Sequence, residues 1–147
     1  MPNSQITFDE GVFVFETVIR IRSTEVKVAQ RLTLDSLTVL LAEAQERFLY
    51  SKGIKEIIAE HQALLVDNLR LSFTERVQAR EELLFEVGVE QLSDDGGNIV
   101  IKVTRMYDGS LVAKARQHFI VYDFHLEKTL KLDNAIKEAL KPRPFEL

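Results

Sequence analysis

The sequence contains no cysteine and no tryptophan, and only three of its 147 residues are proline. Without cysteine, the chain can form no disulfide framework, thiolate metal site or thiol nucleophile. The three prolines lie outside every helix and strand predicted below, so none of them interrupts an element. The sequence therefore excludes the functions that depend on sulfur chemistry and leaves the predicted elements continuous.

Strong charge of one sign and long apolar runs are also missing. A net charge of -4 and a pI near 5.4 leave no basic surface of the kind that binds nucleic acid. No apolar run approaches the ~20 residues that a membrane span needs. Residues 1–10 lack a basic start followed by an apolar run, so we expect no signal peptide. We therefore expect a cytoplasmic protein with no membrane span, folded as a single domain over residues 1–147.

Residues 34–53 carry the longest helical pattern. The apolar residues that recur at three- and four-residue spacing are Leu37, Leu40, Leu41, Ala44 and Phe48. They form one broad apolar face. Thr33 or Asp35 can cap the helix N-terminus, and Gly53 suits the left-handed residue after its C-terminus. A helix this apolar needs cover on more than one side, which a curved sheet could supply.

Five segments show the alternation or β-rich composition of strands. These segments are residues 11–22, 63–73, 82–92, 98–107 and 111–124. In the second of them, alternation predicts Leu65, Asp67 and Leu69 on one face. Gly88, inside the third, suggests a bulge or a tight bend. Residues 23–33 show only weak periodicity, so we predict a loop there, directly before the N-terminus of the helix.

The chain closes with a short predicted helix over residues 134–140, for which Asp133 is the cap. The order is strand, long helix, four strands and small helix. This order predicts an α+β fold, in which a five-stranded antiparallel sheet wraps around one long central helix.

The order of elements resembles the hot-dog fold of acyl-CoA thioesterases, in particular the 4-hydroxybenzoyl-CoA thioesterase and YbgC-like branch, over about residues 12–140. Residues 42–49 (AEAQERFL) are similar to a segment of that family's helix, and residues 109–115 (GSLVAKA) to one of its strands. Residues 118–132 resemble its closing strand. The resemblance implies a thioester of coenzyme A or acyl carrier protein as substrate, no cofactor, and a homodimer or homotetramer.

The active-site motif of the family, D-x-D-x-x-G-H-V, has a different form in this chain. Counted back from the helix, Glu25 falls at the first acidic position and Lys27 at the second, where the family has its nucleophile or general base. Gln30 and Arg31 replace the Gly-His step. The resemblance therefore implies Glu25 as the substitute acid.

Hydrolysis of a thioester needs a carboxylate that attacks or activates water, and donors aimed at the developing oxyanion. The resemblance implies that the N-terminus of the long helix supplies the donors, since its first N–H groups are free and carry the positive end of the dipole. The candidate catalytic residues are Glu25 and Asp35, and the candidate substrate-binding residues are Lys27, Arg31, Thr33, Leu34 and Ser36.

Several of these residues also have a purely structural interpretation. Asp35 suits a helix cap, Glu25 a solvated loop charge, and Glu43 an ion pair with Arg47 four residues on. Asp67 suits a dimer edge or a solvent-exposed position. The three histidines, His61, His118 and His125, lack metal-ligand spacing, so we expect no metal site.

Two functions stay open at this point. One is hydrolysis of acyl thioesters at the N-terminus of the central helix. The other is a catalytically silent hot-dog module that binds an acyl thioester or a protein partner without turnover. A hydratase or dehydratase of the same fold is a weaker third, because its Asp/His pair near the helix is not visible.

Overall fold

The long helix forms where its pattern predicts it, over Leu34–Ser51, and is called α1 below. The computed structural model describes residues 6–8, 11–28, 31–74 and 76–141. The Thr33 hydroxyl oxygen accepts a hydrogen bond from the N–H of Ser36, at 3.3 Å, so Thr33 rather than Asp35 is the cap. Gly53 has a left-handed φ of +68°, which confirms the predicted end of the helix.

The remaining elements within the described residues are eight strands, two short α-helices and one turn of 3₁₀ helix over Ser23–Glu25. The strands are β1 (Phe13–Arg20), β2 (Val26–Val28), β3 (Arg31–Leu32), β4 (Gln62–Phe73), β5 (Glu82–Ser93), β6 (Gly96–Arg105), β7 (Leu111–Asp123) and β8 (Lys128–Leu130). The short helices are α2 (Ile54–Ile57) and α3 (Asn134–Leu140), and Asp133 caps α3 as predicted. None of the described helices is long and apolar enough to cross a membrane.

The five predicted strands are confirmed and form one antiparallel sheet in the order β1-β5-β6-β7-β4. Two features were not predicted: β8 adds a short strand to the sheet by pairing with β7, and β2 with β3 forms a separate hairpin. The sheet packs one face against α1, whose residues Leu37, Leu41, Ala44 and Phe48 have no exposed surface. The core therefore lies between the sheet and the long helix.

The alternation predicted along β4 is wrong, because the strand contains a β-bulge. Its register against β7 shifts between Val66 and Asn68, which leaves Asp67 as an extra residue. An extra residue reverses the phase of a strand whose side chains alternate with period two. Leu65 therefore lies on the face opposite to Leu69, whereas Val66 shares the helix-facing side with Leu69.

Gly88 marks an irregularity in the sheet, as predicted. The register of β1 against β5 shifts between Phe13 and Phe15, directly opposite this glycine. A Cβ atom at Gly88 would lie 2.2 Å from the carbonyl oxygen of Val12. Glycine is therefore required here by the close approach of another backbone.

Two residues of α1 allow a direct test of the helix as the centre of the core. Leu41 is fully buried and Val39 is 65% exposed on the same helix. Leu41→Ala is expected to lower the free energy of unfolding by about 3 kcal/mol through lost burial and a cavity, and Val39→Ala to change it by less than about 0.5 kcal/mol. Urea unfolding measures both, and similar losses would contradict a buried central helix.

Candidate active site

The segment before α1, predicted as a loop, is largely structured. Ser23–Glu25 form a turn of 3₁₀ helix, and the β2–β3 hairpin follows, with Val26 opposite Leu32. Gln30, one of the motif positions, lies outside the described residues. The 3₁₀ turn, β2 and β3 each contain too few residues for a periodic pattern of apolar residues to be recognised. For this reason the sequence predicted a loop there.

Glu25, the predicted substitute acid, is only 7% exposed and is fixed by one neighbour. Its Oε1 atom accepts the backbone N–H of Arg22 at 2.7 Å, and its Oε2 atom accepts a guanidinium N–H of Arg22 at 3.2 Å. The same carboxylate raises the pKa of Arg22 through this hydrogen bond and its charge. Glu25 is therefore not a solvated loop charge, although most of the Arg22 side chain is exposed.

The hairpin links the backbone next to Glu25 to the segment that leads into the long helix. Residues directly opposite in an antiparallel pair have Cα atoms about 5 Å apart. Val26, which follows Glu25 directly, lies opposite Leu32, which precedes the helix cap Thr33 directly. The structure thus places the backbone of Glu25 one residue away from the strand pair that leads into α1.

The N-terminal turn of α1 retains donors that point out of the helix. The carbonyl of Thr33 accepts the first intrahelical bond, from Leu37 at 2.9 Å, and its side chain accepts the N–H of Ser36. The N–H of Leu34 lies outside both bonds, and the N–H groups of a first turn have no intrahelical acceptor. Together with the helix dipole, they can bind an oxygen that carries negative charge. Asp35 is exposed in the same turn.

A small basic cleft lies beside this turn. Its volume is about 240 Å³, and its lining residues are Arg31, Leu32, Phe73, Thr74 and Arg76. Arg31 and Arg76 are both exposed, so the cleft offers two guanidinium groups to an anion. The backbone of Lys27 belongs to β2, but its side chain lies outside the description.

One residue that supports the hairpin was missed in the sequence. The N–H of Leu32 donates to the carbonyl of Val77 at 2.7 Å, and Val77 is fully buried. Residues 74–81 form a mainly polar run between two of the predicted strands. A single valine in that polar run was the available signal, and it is too weak to predict a buried anchor.

The other candidate acids have partners of their own. Glu43 pairs with Arg47 at 2.8 Å, as the four-residue spacing predicts. Asp67 Oδ1 lies 2.6 Å from His118 Nδ1, and both side chains are about two-fifths exposed. The solvent-exposed interpretation of Asp67 is therefore supported, with the addition of an unpredicted histidine partner.

The remaining histidines form a pair at the far end of the sheet. The His61 and His125 rings stack with centroids 4.3 Å apart, and His61 Nε2 lies 3.4 Å from the buried Asp123 carboxylate. The backbone N–H of Leu126 is the main cause that lowers the pKa of Asp123, helped by Gln62 and His61. Among the described residues, no three acidic or histidine side chains are grouped so that they could hold a metal ion.

Comparison with known proteins gives matches in structure but not in sequence. No family model matches the chain, and no curated protein sequence matches it. YbaW, a probable thioesterase from Escherichia coli, is 23% identical with a TM-score of 0.77, over 86% of this chain and 96% of its own. A 1,4-dihydroxy-2-naphthoyl-CoA thioesterase from Synechocystis is 18% identical with a TM-score of 0.77, over 86% and 94%.

A third similar structure is a hypothetical protein from Staphylococcus aureus, solved in complex with CoA. It is 12% identical with a TM-score of 0.78, over 95% of this chain and 92% of that chain. The chain has the hot-dog fold. These matches cover 86% to 95% of the chain, so the expected fold is confirmed. In this hot-dog chain, Thr33, Leu34 and Ser36 form the start of the helix, Arg31 lies just before it, and Glu25 precedes the strand that pairs with β3.

The cap of the central helix gives a test of this end of the hot-dog fold. Thr33→Ala is expected to lower the free energy of unfolding by about 1 kcal/mol, because the N–H of Ser36 loses its acceptor. Thr38→Ala is the matched control, since the Thr38 hydroxyl only donates to the carbonyl of Leu34 within the helix. It should change stability by less than about 0.5 kcal/mol. Equal losses in urea unfolding would argue against a capping role.

Proposed function

We propose that this hot-dog chain hydrolyses acyl thioesters of coenzyme A or acyl carrier protein at the N-terminus of α1. The observation that carries the proposal is the pairing of β2 with β3, which sets Val26, the residue after Glu25, opposite Leu32, the residue before the helix cap Thr33. A carboxylate and an oxyanion site within one small region are the two parts that thioester hydrolysis needs.

In this mechanism the thioester carbonyl oxygen binds the N–H of Leu34 and the positive end of the helix dipole. The Glu25 carboxylate takes a proton from water as the water oxygen attacks the carbonyl carbon, and the negative charge that develops on the carbonyl oxygen is stabilised by the turn. Collapse of the tetrahedral intermediate then breaks the carbon–sulfur bond and expels the thiolate, which takes up the proton. Asp35, exposed in the same turn, is the second candidate acid.

Glu25 has to leave Arg22 before it can act as a base. The Arg22 side chain is 74% exposed, so an anion in solution can reach its guanidinium group. A phosphate of the carrier that binds Arg22 can therefore replace Glu25 as its partner. Arg31 and Arg76, in the cleft at the helix start, offer further guanidinium groups for the same anion.

Two of the similar structures support this choice of substrate class. One is a thioesterase for a naphthoyl-CoA ester, and another was solved in complex with CoA. Carried over to this chain as part of the proposal, they favour coenzyme A as the carrier.

The second candidate is a hot-dog module that binds an acyl thioester or a protein partner without turnover. The observation that favours it is the hydrogen bonding of Glu25, since both of its carboxylate oxygens already accept bonds from Arg22. The position at which the family has its second aspartate holds Lys27, which cannot act as the carboxylate.

Glu25→Gln separates these two candidates in a screen of acyl-CoA esters of several chain lengths. If Glu25 is the base, kcat falls by about 100-fold or more, with little change in KM, because an amide cannot take the proton. Arg22→Gln is the matched control, since it breaks the same ion pair and keeps the carboxylate. It should retain or raise kcat.

Three outcomes of this screen have different meanings. Activity that survives Glu25→Gln would remove Glu25 from the mechanism. Equal losses in both variants would show that the ion pair only holds the hairpin in place. Binding of the esters by the unchanged protein, without turnover of any of them, would support the silent module.

We further propose that the chain forms a homodimer through the outer edge of β4. The two edge strands of the sheet differ. At β1, the Arg47 guanidinium donates to the Thr17 hydroxyl at 2.7 Å and to the Val18 carbonyl at 3.2 Å, which occupies part of that edge. Residues 65–70 of β4, by contrast, are all exposed. An unprotected edge of this length favours pairing with a second strand.

Leu65→Lys tests the proposed dimer edge. In a two-fold pairing centred on residues 65–70, position 65 lies opposite Arg70 of the other copy, so the variant creates two pairs of like charges per dimer. The dissociation constant should rise by at least about tenfold. Val18→Lys, on the β1 edge, is the control and should leave it unchanged. Analytical ultracentrifugation measures both, and a monomeric unchanged protein would refute the dimer.

A further inference from the structure

Gln117 on β7 carries a buried side-chain oxygen, Oε1, to which no described residue donates a hydrogen bond. The residue is only 4% exposed. A buried carbonyl oxygen without a donor destabilises the fold, and such groups are rare enough to need an explanation. The chemistry proposed at the helix N-terminus does not use Gln117, so its oxygen is left for another role.

The position of Gln117 in the sheet places it on the side of the core. In the strand register it lies between Leu69 of β4 and Ile99 of β6. Ala115 and Phe119, two residues away on the same face of β7, are both fully buried. The Gln117 amide therefore belongs to the layer between the sheet and α1.

A second buried amide, Gln45, lies on α1 and is 8% exposed. Gln45 lies one turn after Leu41 and one turn before Leu49, so the three side chains share one stripe of the helix. Leu49 and Leu64 of β4 line the same cleft, which shows that this stripe faces β4. The two glutamines thus belong to the facing layers on the same side of the core.

That side of the core is also its open side. Val66 and Leu69 of β4 face the helix layer, yet each is 37% exposed. Phe119, which is paired with Val66, and Ile99, on the far side of Gln117 from Leu69, have no exposed surface. An apolar group can therefore lie along β4 and reach the edge of the layer that holds Gln117.

Gln45 on α1 and Gln117 on β7 lie at about the same distance from the proposed thioester site. Gln45 follows Ser36 by nine residues, which is about 14 Å along an α-helix. Gln117 follows Ala113 by four residues, which is about 13 Å along a strand. Ala113 lies opposite Phe73, which lines the cleft at the start of α1.

We infer that Gln117, together with Gln45, selects an acyl group that carries a hydroxyl far from its thioester; this inference rests on the function proposed above. The hydroxyl donates to Gln117 Oε1 and accepts from the amide N–H of Gln45, because a hydroxyl can do both. With the thioester carbonyl at the helix N-terminus, a separation of about 13 Å places the hydroxyl near the end of a medium-length chain.

A pair of substrates that differ only in this hydroxyl tests the inference. The unchanged protein should hydrolyse ω-hydroxydecanoyl-CoA with a kcat/KM about tenfold above that for decanoyl-CoA, the contribution of one good hydrogen bond. Gln117→Leu has a side chain of similar size without an acceptor. It should abolish the preference between the two esters.

Asn98→Leu is the matched control. It removes another buried amide of the sheet, but one that already donates to Gln91 at 3.0 Å, so the preference between the two esters should stay the same. If Gln117→Leu does not fold, Gln117→Met removes the same oxygen with a more adaptable side chain.

The outcomes separate this inference from the proposed hydrolysis. Equal kcat/KM values for the two esters, or a preference that persists in Gln117→Leu, would overturn it. The same comparison is made by calorimetry with two thioethers that cannot be hydrolysed, S-(ω-hydroxydecyl)-CoA and S-decyl-CoA. Tighter binding of the hydroxylated thioether, lost in Gln117→Leu, supports the inference even if no ester is turned over, in which case hydrolysis alone fails.

Discussion

Burial of one face of α1 against the sheet is the interaction on which the rest of the structure depends. Leu37, Leu41, Ala44 and Phe48 lose all contact with solvent there, and apolar burial of this kind is the dominant favourable term in folding. Because the helix is held along most of its length, its N-terminal turn has a defined position. The donors of that turn can therefore be preorganised without any side chain dedicated to the task.

The candidate site depends on that helix indirectly, through the β2–β3 hairpin. The β2–β3 hairpin touches the main fold through the bond of Leu32 to Val77, and Val77 is itself buried. The same hairpin holds Val26, the residue after Glu25, opposite Leu32, which lies two residues before the start of α1. The site is thus assembled by local pairing on a rigid scaffold, and its chemistry can change when residues of the hairpin change, while the fold stays the same.

The long elements could be predicted from sequence because each repeats its pattern over several turns or several residue pairs. The helix Asn134–Leu140 is a clear case, since Asp133 supplies the cap just before it. The bulge at Asp67 could not be predicted, because the strand itself alternates normally and only its pairing with β7 shows the extra residue. In the site, the resemblance implied Glu25 as the acid from its place in the motif, but not that both of its carboxylate oxygens accept hydrogen bonds from Arg22.

Two features that escaped prediction, the bulge at Asp67 and the buried amide oxygen of Gln117, lie close together in the sheet. The bulge at Asp67 is followed two residues later by Leu69, which lies opposite Gln117. A bulge re-aims the side chains that follow it, and here it turns Leu69 toward the helix layer beside the unpaired amide. Places where local rules fail are often the places where a protein binds something. Residues 65–70 of β4 and the neighbouring Gln117 of β7 therefore combine an irregular strand, half-exposed apolar residues and a buried polar oxygen. This combination is expected of a pocket for an acyl group with one polar feature.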